Sequence, residues 1–468
     1  MREYQIKVEP FEYIALRQLK IEQKVNEHAK AQISMHIKDD MQEPYMDILS
    51  GETWVKVIGL GDQEENEGDI HTILFYGMVT DFQISHDGYE TLLNLEVTSG
   101  TIIMDLNPHF RVFQNKDSMC AEICRKLTST YKEGQVTCLE GENDTTGGVL
   151  IQYGETDWEF LKRIMGRTGL YLVPDALKKG IRYTIGLPVG IKRELQGDKI
   201  KMRLDMNEYK EKSSNGMSDL LAADMMELIF TDREIYQLGD HISYQGKEYF
   251  LQKIQTEYDK GECVHTYFFR TKKAMEVLPM AHSGITGNSF DAAVTAVQKD
   301  KVQVEIMQDE WSAKDGKKWF LYSTVYSSAD GTGWYCMPEQ GDKVRLYVPE
   351  KEEDSFIISS VHKPSDNSRQ NPDYKSFKTK YGKEILFTPD TILITNNQGM
   401  MIEMNDSKGI TISSDRDIVI AADDNLTISS ANASLLLAAS DILKVNQGGT
   451  SMTLKDDIYF TGGEFRIQ

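Results

Sequence analysis

The chain is 468 residues long, enough for about three domains at roughly 150 residues each. Its 73 acidic and 52 basic side chains give a formal net charge of -21, which excludes the basic footprint of a nucleic-acid binder and passive docking on anionic lipid. Charged residues interrupt every apolar run well short of the ~20 residues a membrane helix needs, and the opening MREYQIKVEPFEY lacks the apolar core of a secretory signal, so synthesis without a signal peptide, soluble in the cytoplasm, is expected.

Residues 1–100 alternate as half-buried strands do. Ile33, Met35 and Ile37 alternate with polar neighbours, Val55 and Val57 repeat the pattern, and Ile73–Val79 and Leu92–Val97 flank Asp87-Gly88, a hairpin signal. An antiparallel sheet curled into a barrel is expected. Residues 101–190 are mixed. Asp117 is placed to cap a short helix bearing Met119, Ile123 and Leu127. Thr156-Asp157-Trp158-Glu159 reads as a capping box, followed by the apolar stripe Trp158, Leu161, Ile164 and Met165, with Phe160 beside it and a stop at Gly166 and Gly169. Residues 191–280 return to strands, which makes residues 1–280 two β-barrels with an α/β insertion at about 101–190.

His282–Ser289 is a small-residue linker. Val294–Val297, Val302–Ile306, Trp319–Val325, Val344–Val348 and Phe356–Val361 then predict a five-stranded OB barrel over 290–362. Residues 363–380 are polar and contain Pro364 and Pro372, the composition of a second linker.

From 381 to 468 the chain is a ladder of apolar-polar-apolar units separated by turn formers. Ile410/Ile412, Ile418/Ile420, Leu426/Ile428 and Leu435/Leu437 are spaced by eight, eight and nine residues, and the pattern continues through Met452/Leu454, Ile458/Phe460 and Phe465/Ile467. A repeat this short cannot bury its own face. Three chains wound about one axis solve that problem: the inward residues meet on the axis and each octad adds one layer. At ~4.8 Å per layer, eleven or so layers give a rod of roughly 50 Å. The competing patterns fit less well, since a single-chain solenoid uses longer coils and a β-sandwich uses longer strands.

Chemistry-bearing constellations are sparse. The five cysteines (Cys120, Cys124, Cys138, Cys263, Cys336) contain no CxxC pair and read as reduced packing residues. Asp157 and Glu159 have the wrong context for a glycosidase pair, being better explained by the capping box. His109, His241 and His265 lie far apart in sequence and lack a companion motif. Asp423-Asp424 and Asp456-Asp457 read as solvated corners rather than cation sites. No catalytic residue, cofactor or metal site is expected. Past residue 380 the chain has twelve acidic and six basic side chains, which keeps a bundle of copies hydrated.

Gln152-Tyr153-Gly154-Glu155-Thr156-Asp157-Trp158-Glu159-Phe160-Leu161-Lys162-Arg163-Ile164, followed by Gly169-Leu170-Tyr171, resembles the hub motif of VgrG-type spike proteins of contractile injection systems and contractile phage tails. Tyr153, Glu155, Asp157, Trp158, Phe160, Leu161 and Arg163 carry that likeness. Trp319, Gly333-Trp334-Tyr335 and Met337-Pro338-Glu339 before Gly341-Asp342 and Val344 resemble the family's OB pattern. The order of barrel, insertion, barrel, OB barrel and ladder covers essentially the whole chain.

The resemblance implies a mainly β homotrimer with a pseudo-sixfold hub and an intertwined trimeric β-helix. Its implied partners are the inner tube, baseplate proteins, and a PAAR-like tip cap or effectors. It implies no nucleic acid, only transient contact with a target membrane, and ejection into or through the target envelope. Ile410, Ile412, Ile418, Ile420, Leu426, Ile428, Leu435 and Leu437 are the expected trimer core. Phe460, Phe465 and Ile467 are the expected tip that meets a cap. The chain departs from the family in three respects. Glycines are sparse in its ladder. Only about 17 residues, Lys363–Thr379, separate barrel from ladder, too few for an inserted lysozyme. No histidine follows His362 to build an apical iron site. The alternatives are a trimeric receptor-binding fibre and a phage-tail wall hydrolase.

Overall fold

A computed structural model describes residues 5–60, 71–88, 90–194, 200–259, 261–311, 317–361 and 371–461. It divides into two units, Met1–His362 and Lys363–Gln468.

The first unit opens with β1 (Gln5–Glu9), β2 (Ala15–Lys24), β3 (Glu27–Ile37), α1 (Gln42–Leu49), β4 (Trp54–Leu60), β5 (His71–Asp87) and β6 (Glu90–Thr98). The insertion supplies β7 (Pro108–Phe113), α2 (Cys120–Thr128), β8 (Gln135–Cys138), β9 (Leu150–Thr156), α3 (Asp157–Gly166), β10 (Leu172–Pro174) and β11 (Arg182–Ile185). Then follow β12 (Lys201–Arg203), α4 (Met206–Ser214), β13 (Glu227–Asp232), β14 (His241–Tyr244), β15 (Lys247–Asp259), β16 (Glu262–Arg270) and the single turn α5 (Lys272–Met275).

The two β-rich stretches, expected as separate barrels, share one 11-stranded sheet in the order β1-β4-β5-β6-β3-β2-β15-β16-β13-β12, with β14 on β15. The seam is the antiparallel pair β2–β15, running from Leu19↔Tyr258 to Lys24↔Lys253. Each half still wraps its own core. Leu19, Ile33, Val57, Phe75 and Leu93 fill the first. Leu228, Ile242, Leu251, Tyr267 and Phe269 fill the second. One inward side chain in every two residues produces both cores, as the alternation in β3 and β16 shows. Asp87-Gly88 turns β5 into β6, with Gly88 at φ +65°.

Within the insertion α3 begins as expected. The Glu159 amide donates to Thr156 Oγ1 at 3.2 Å, and the Thr156 amide donates to Glu159 Oε2 at 3.0 Å. Gly169, at φ +73°, lets the chain reverse after the helix. The cap of α2 differs from expectation. Met119 occupies the N-cap, and the Asp117 amide is instead held by Asn115 Oδ1 at 3.0 Å. The helix starts later than expected, and Asp144 O accepts the Cys120 amide at 2.8 Å, while Ile123 and Leu127 still face the core.

The stretch His282–Ser289 is not a free linker. Ile285 is buried in the next core, and the Gly287 amide donates to Val348 O at 2.8 Å. The barrel comprises β17 (Ser289–Gln298), β18 (Lys301–Ile306), β19 (Phe320–Leu321), β20 (Lys343–Tyr347) and β21 (Phe356–Val361), in sheet order β19-β18-β17-β20-β21. A parallel bridge between Tyr322 and Ile357 joins the two edges, with the Ser323 amide donating to Ile357 O at 2.7 Å. This closure removes the open edges that a five-stranded sheet would otherwise present.

The second unit holds β22 (Lys375–Lys378), β23 (Glu384–Phe387), β24 (Thr391–Thr395), β25 (Met401–Asn405) and β26 (Gly409–Ser413) as an antiparallel meander. β22 falls in the stretch 363–380 read as a linker. After 29 residues outside any strand, β27 (Leu443–Gln447), β28 (Thr450–Leu454) and β29 (Ile458–Thr461) form a three-stranded meander. The ladder is therefore not uniform: strands pair within the chain at both ends, while 415–442 shows no strand pairing among the described residues.

Candidate functional site: a buried clasp and an uncovered ladder

The hub motif spans the end of β9 and all of α3. Its apolar members serve the insertion core: Trp158, Phe160 and Leu161 are buried with Cys124, Leu127 and Tyr183. Trp158 meets the Tyr183 ring edge-on at 5.6 Å and the His28 ring at 4.8 Å. Burial holds His28 below the usual histidine range, against the pull of Asp105.

The charged members do something the sequence does not announce. Asp157, at the first turn of α3, is fully buried. Its carboxylate accepts from Gln152 Nε2 at 2.8 Å, from Tyr131 OH at 2.6 Å and from Arg111 Nη1. Burial, and then donation of its proton to Asp157, push the Tyr131 hydroxyl far above its usual range. Three donors and the N-terminus of α3 converge on this buried carboxylate, which serves as a structural acceptor. Glu159 is occupied by the cap, so the two acids do not form a pair.

Arg163, on the same helix, is also buried and makes four hydrogen bonds. Nε and Nη2 form a fork on Glu155 at 2.7 and 2.8 Å, Nη2 donates to Ile151 O at 2.9 Å, and Nη1 donates to Glu352 Oε2 at 3.0 Å. Burial opposes its charge, but Glu155 and Glu352 outweigh burial and raise its pKa above the usual arginine range. Glu352 belongs to the short turn before β21. It accepts further from Arg167 Nη2 at 2.8 Å and from the Ile151 amide at 2.6 Å.

A second barrel acid, Glu310, accepts from the Phe110 amide at 3.0 Å and from His109 Nδ1 at 3.0 Å, with Arg111 Nε 3.3 Å away. Burial works to raise the Glu310 pKa; the Phe110 amide, His109 and Arg111 together bring it below the usual carboxylate range. Around these ions the β7–β9 ribbon lays Val112, Val149 and Ile151 onto Phe290, Val304 and Leu346 of the barrel, as one apolar core. Tyr153 and Phe110 both pack on Phe290. The motif thus fastens the insertion to the OB barrel. Sequence reading found Glu155, Asp157 and Arg163 but missed Glu352, Glu310 and Arg111, which lie far away in the chain and in no motif.

The thiols of Cys120 and Cys138 are pushed up by burial to about 11, and Cys124 higher still, so they pack rather than react. Among the described residues, no group of three or more His, Cys, Asp or Glu side chains is arranged to hold a metal ion.

In the second unit the ladder residues share one face. The register aligns Phe377, Ile385, Ile394, Ile402 and Ile412 in one row across five strands, and Phe387, Ile392, Met404 and Ile410 in the next. Ile418/Ile420, Leu426/Ile428 and Leu435/Leu437 follow at the same sequence spacing but lie outside any strand. In the isolated chain the eight expected core residues are 52–72% exposed. All of 415–442 is exposed, and among the described residues it makes no backbone–backbone hydrogen bond. The backbone of β29 carries Phe460; Phe465 and Ile467 lie outside the described residues.

Residues 60–181 match the family profile of the phage tail baseplate hub (GPD). A solved E. coli protein, c3393, is similar over 76% of this chain and 100% of its own, at 12% identity and TM-score 0.51; it is described as a component of the type VI secretion system with structural similarity to the T4 bacteriophage tail proteins gp27 and gp5. The chain has the fold of a VgrG-type spike. Structures of the Francisella PdpA–VgrG complex agree: the half-lidded form aligns over 88% of this chain and 87% of its own at 9% identity and TM-score 0.57, and the lidless form over 85% and 93% at 9% identity and TM-score 0.56. No curated protein matches the chain by sequence. The VgrG-type likeness thus joins the motif seen in the sequence to the fold built around it.

Proposed function

We propose that this chain is the structural hub and spike of a contractile injection machine. Three copies assemble on the tip of the inner tube, and sheath contraction drives them through a target envelope. The baseplate hub profile and the VgrG-type fold support the hub role. The uncovered ladder carries the assembly. Fully burying one Ile or Leu side chain contributes roughly 1.5–3 kcal/mol, so eight per chain, each more than half exposed in the isolated chain, give a stabilisation of the same order as an association cost of about 4–15 kcal/mol. Strand pairing between copies would also satisfy the backbone of 415–442. A ladder of that kind has no hinge, which suits a needle.

In this reading the spike is not an enzyme, and its end carries a PAAR-like cap or effectors. It leaves with the particle; no described helix is long and apolar enough to cross a membrane. The PdpA–VgrG complexes, in which a VgrG holds a partner protein, support the partner role. Native mass measurement of the purified full chain tests the proposal. It expects three times the 53.3 kDa chain mass; a stable monomer would sink it.

A further inference from the structure

One face of the OB barrel carries a groove of about 970 Å³, near the upper end of the range for ligand sites. Asp300 comes from the turn between β17 and β18, and Lys301 opens β18. Trp319 precedes β19, and Leu321 ends it. Glu353 and Asp354 come from the turn between β20 and β21. These are the second and third strands of the barrel and the loops joining strands one to two and four to five. OB barrels hold oligonucleotides and oligosaccharides on that surface. An arm that leaves the barrel between β19 and β20 adds Trp334 and Tyr335 to the lining. Every residue of the arm from Val325 to Cys336 is exposed.

Bonds within the barrel hold these walls in place. Tyr335 OH donates to Lys299 O at 3.0 Å, which ties the arm to the β17–β18 turn. The Tyr322 amide donates to Asp300 O in the same turn, at 3.1 Å. Thr324 Oγ1 donates to Trp334 O at 3.0 Å. Lys318 Nζ donates to Glu353 O at 2.7 Å. Glu353 and Asp354 also follow Glu352, the acid bonded to Arg163, so the clasp anchors the turn that carries them.

The lining mixes aromatic rings with charges of both signs, and that mixture discriminates between occupants. The centre of a protein–protein contact is depleted of charge, and an apolar ligand would leave these charges unpaired. Nucleic acid and other polyanions would meet three carboxylates, on a chain of net charge -21. A sugar matches both kinds of group. The C–H faces of its rings lie on aromatic side chains, and its hydroxyls both donate to carboxylates and accept from ammonium groups.

We infer that this groove binds an uncharged oligosaccharide. Trp319, Trp334 and Tyr335 take the faces of the sugar rings, while Asp300, Glu353 and Asp354 take the hydroxyls. The site is built within one chain, so it goes beyond the trimeric reading and does not depend on it.

The test titrates the full-length protein with cellotetraose, maltotetraose and tetra-N-acetylchitotetraose, with the anionic tetragalacturonate as control, by calorimetry and tryptophan emission. Saturable binding of at least one uncharged sugar is expected, with a Kd of about 1 mM or tighter. Trp334→Ser and, separately, Glu353→Ala are each expected to weaken it about tenfold or more, with native mass and far-ultraviolet circular dichroism unchanged. Cys336, exposed on the arm beside Tyr335, should react more slowly with maleimide once that sugar is added. Absence of saturation by all three sugars, or binding that survives both substitutions, would overturn the inference. So would tetragalacturonate binding as tightly as the uncharged sugars, or a Cys336 already unreactive before any sugar is added, which would show that another protein surface covers the groove. The same mass measurement reads the number of chains, and either result there leaves the sugar test standing.

Discussion

Glu352 closes on Arg163 at 3.0 Å, with both side chains buried, and the pair joins two parts of the chain 189 residues apart. The same carboxylate holds Arg167 and the Ile151 amide. One acid thus ties helix, ribbon and barrel together. Removing a partner leaves buried charges uncompensated, and this cost exceeds the net worth of the pair itself.

Glu352→Gln is expected to destabilise the first unit by about 3–5 kcal/mol, because Arg163 and Arg167 lose a shared anion. Thermal unfolding checks the loss. Hydrogen exchange of the Ile151 amide should accelerate in the same variant. An unchanged melting temperature would show that Glu155 alone suffices for Arg163.

Ile420→Asp combined with Ile428→Asp places two charges per copy in the expected ladder core. Loss of the trimer by native mass is expected, with the far-ultraviolet circular dichroism largely retained, since Ile420 and Ile428 lie outside every helix and strand. A variant that stays trimeric would remove the ladder from the assembly.

Thr156→Ala removes the hydroxyl that accepts the Glu159 amide and is expected to cost about 1 kcal/mol, whereas Thr156→Ser should cost almost nothing. Comparing urea midpoints of the two variants separates the cap from general loss of packing.

His265 gives a pH prediction. It is buried on β16, bonded through Nδ1 to Thr256 Oγ1 at 2.7 Å, stacked on Tyr267 and within 4.0 Å of Cys263 Sγ, with Asp232 as the nearby charge. Burial, against the pull of Asp232, lowers its pKa from 6.5 to about 4. Below 6.5 the unfolded chain takes up a proton that the folded chain refuses. Stability is therefore fully present above 6.5 and is lost as the pH falls toward about 4, at roughly 1.4 kcal/mol per pH unit. His265→Phe should flatten the fall in melting temperature between pH 7 and pH 4.5. An unaltered profile would assign the acid sensitivity to other groups.

Local patterns were readable in the residues wherever one short stretch decided the outcome. The capping box at Thr156 and Glu159, the alternation of Ile33, Met35 and Ile37, the Asp87-Gly88 turn and the strands of the OB barrel all belong to that kind. The expected cap at Asp117 failed because the helix begins only after Met119, where Asp144 O, from a distant turn, takes the Cys120 amide. The clasp was half legible. Asp157 and Arg163 stand in a motif, but their partners Arg111, Glu310 and Glu352 are set by tertiary packing, which no local period encodes. The ladder face was legible from spacing, while the split between meanders and the unpaired middle was not, since turn residues alone do not state whether a strand pairs within its own chain.

The seam between β2 and β15 has a bearing on biosynthesis. Leu19 finds Tyr258 only after some 240 intervening residues have been made. During that interval the nascent N-terminal half presents a long bare strand flank to the cytosol, and closing such a distant pairing is intrinsically slow. Ribosome-bound chains truncated before β15 are accordingly the stage at which chaperone capture should be greatest.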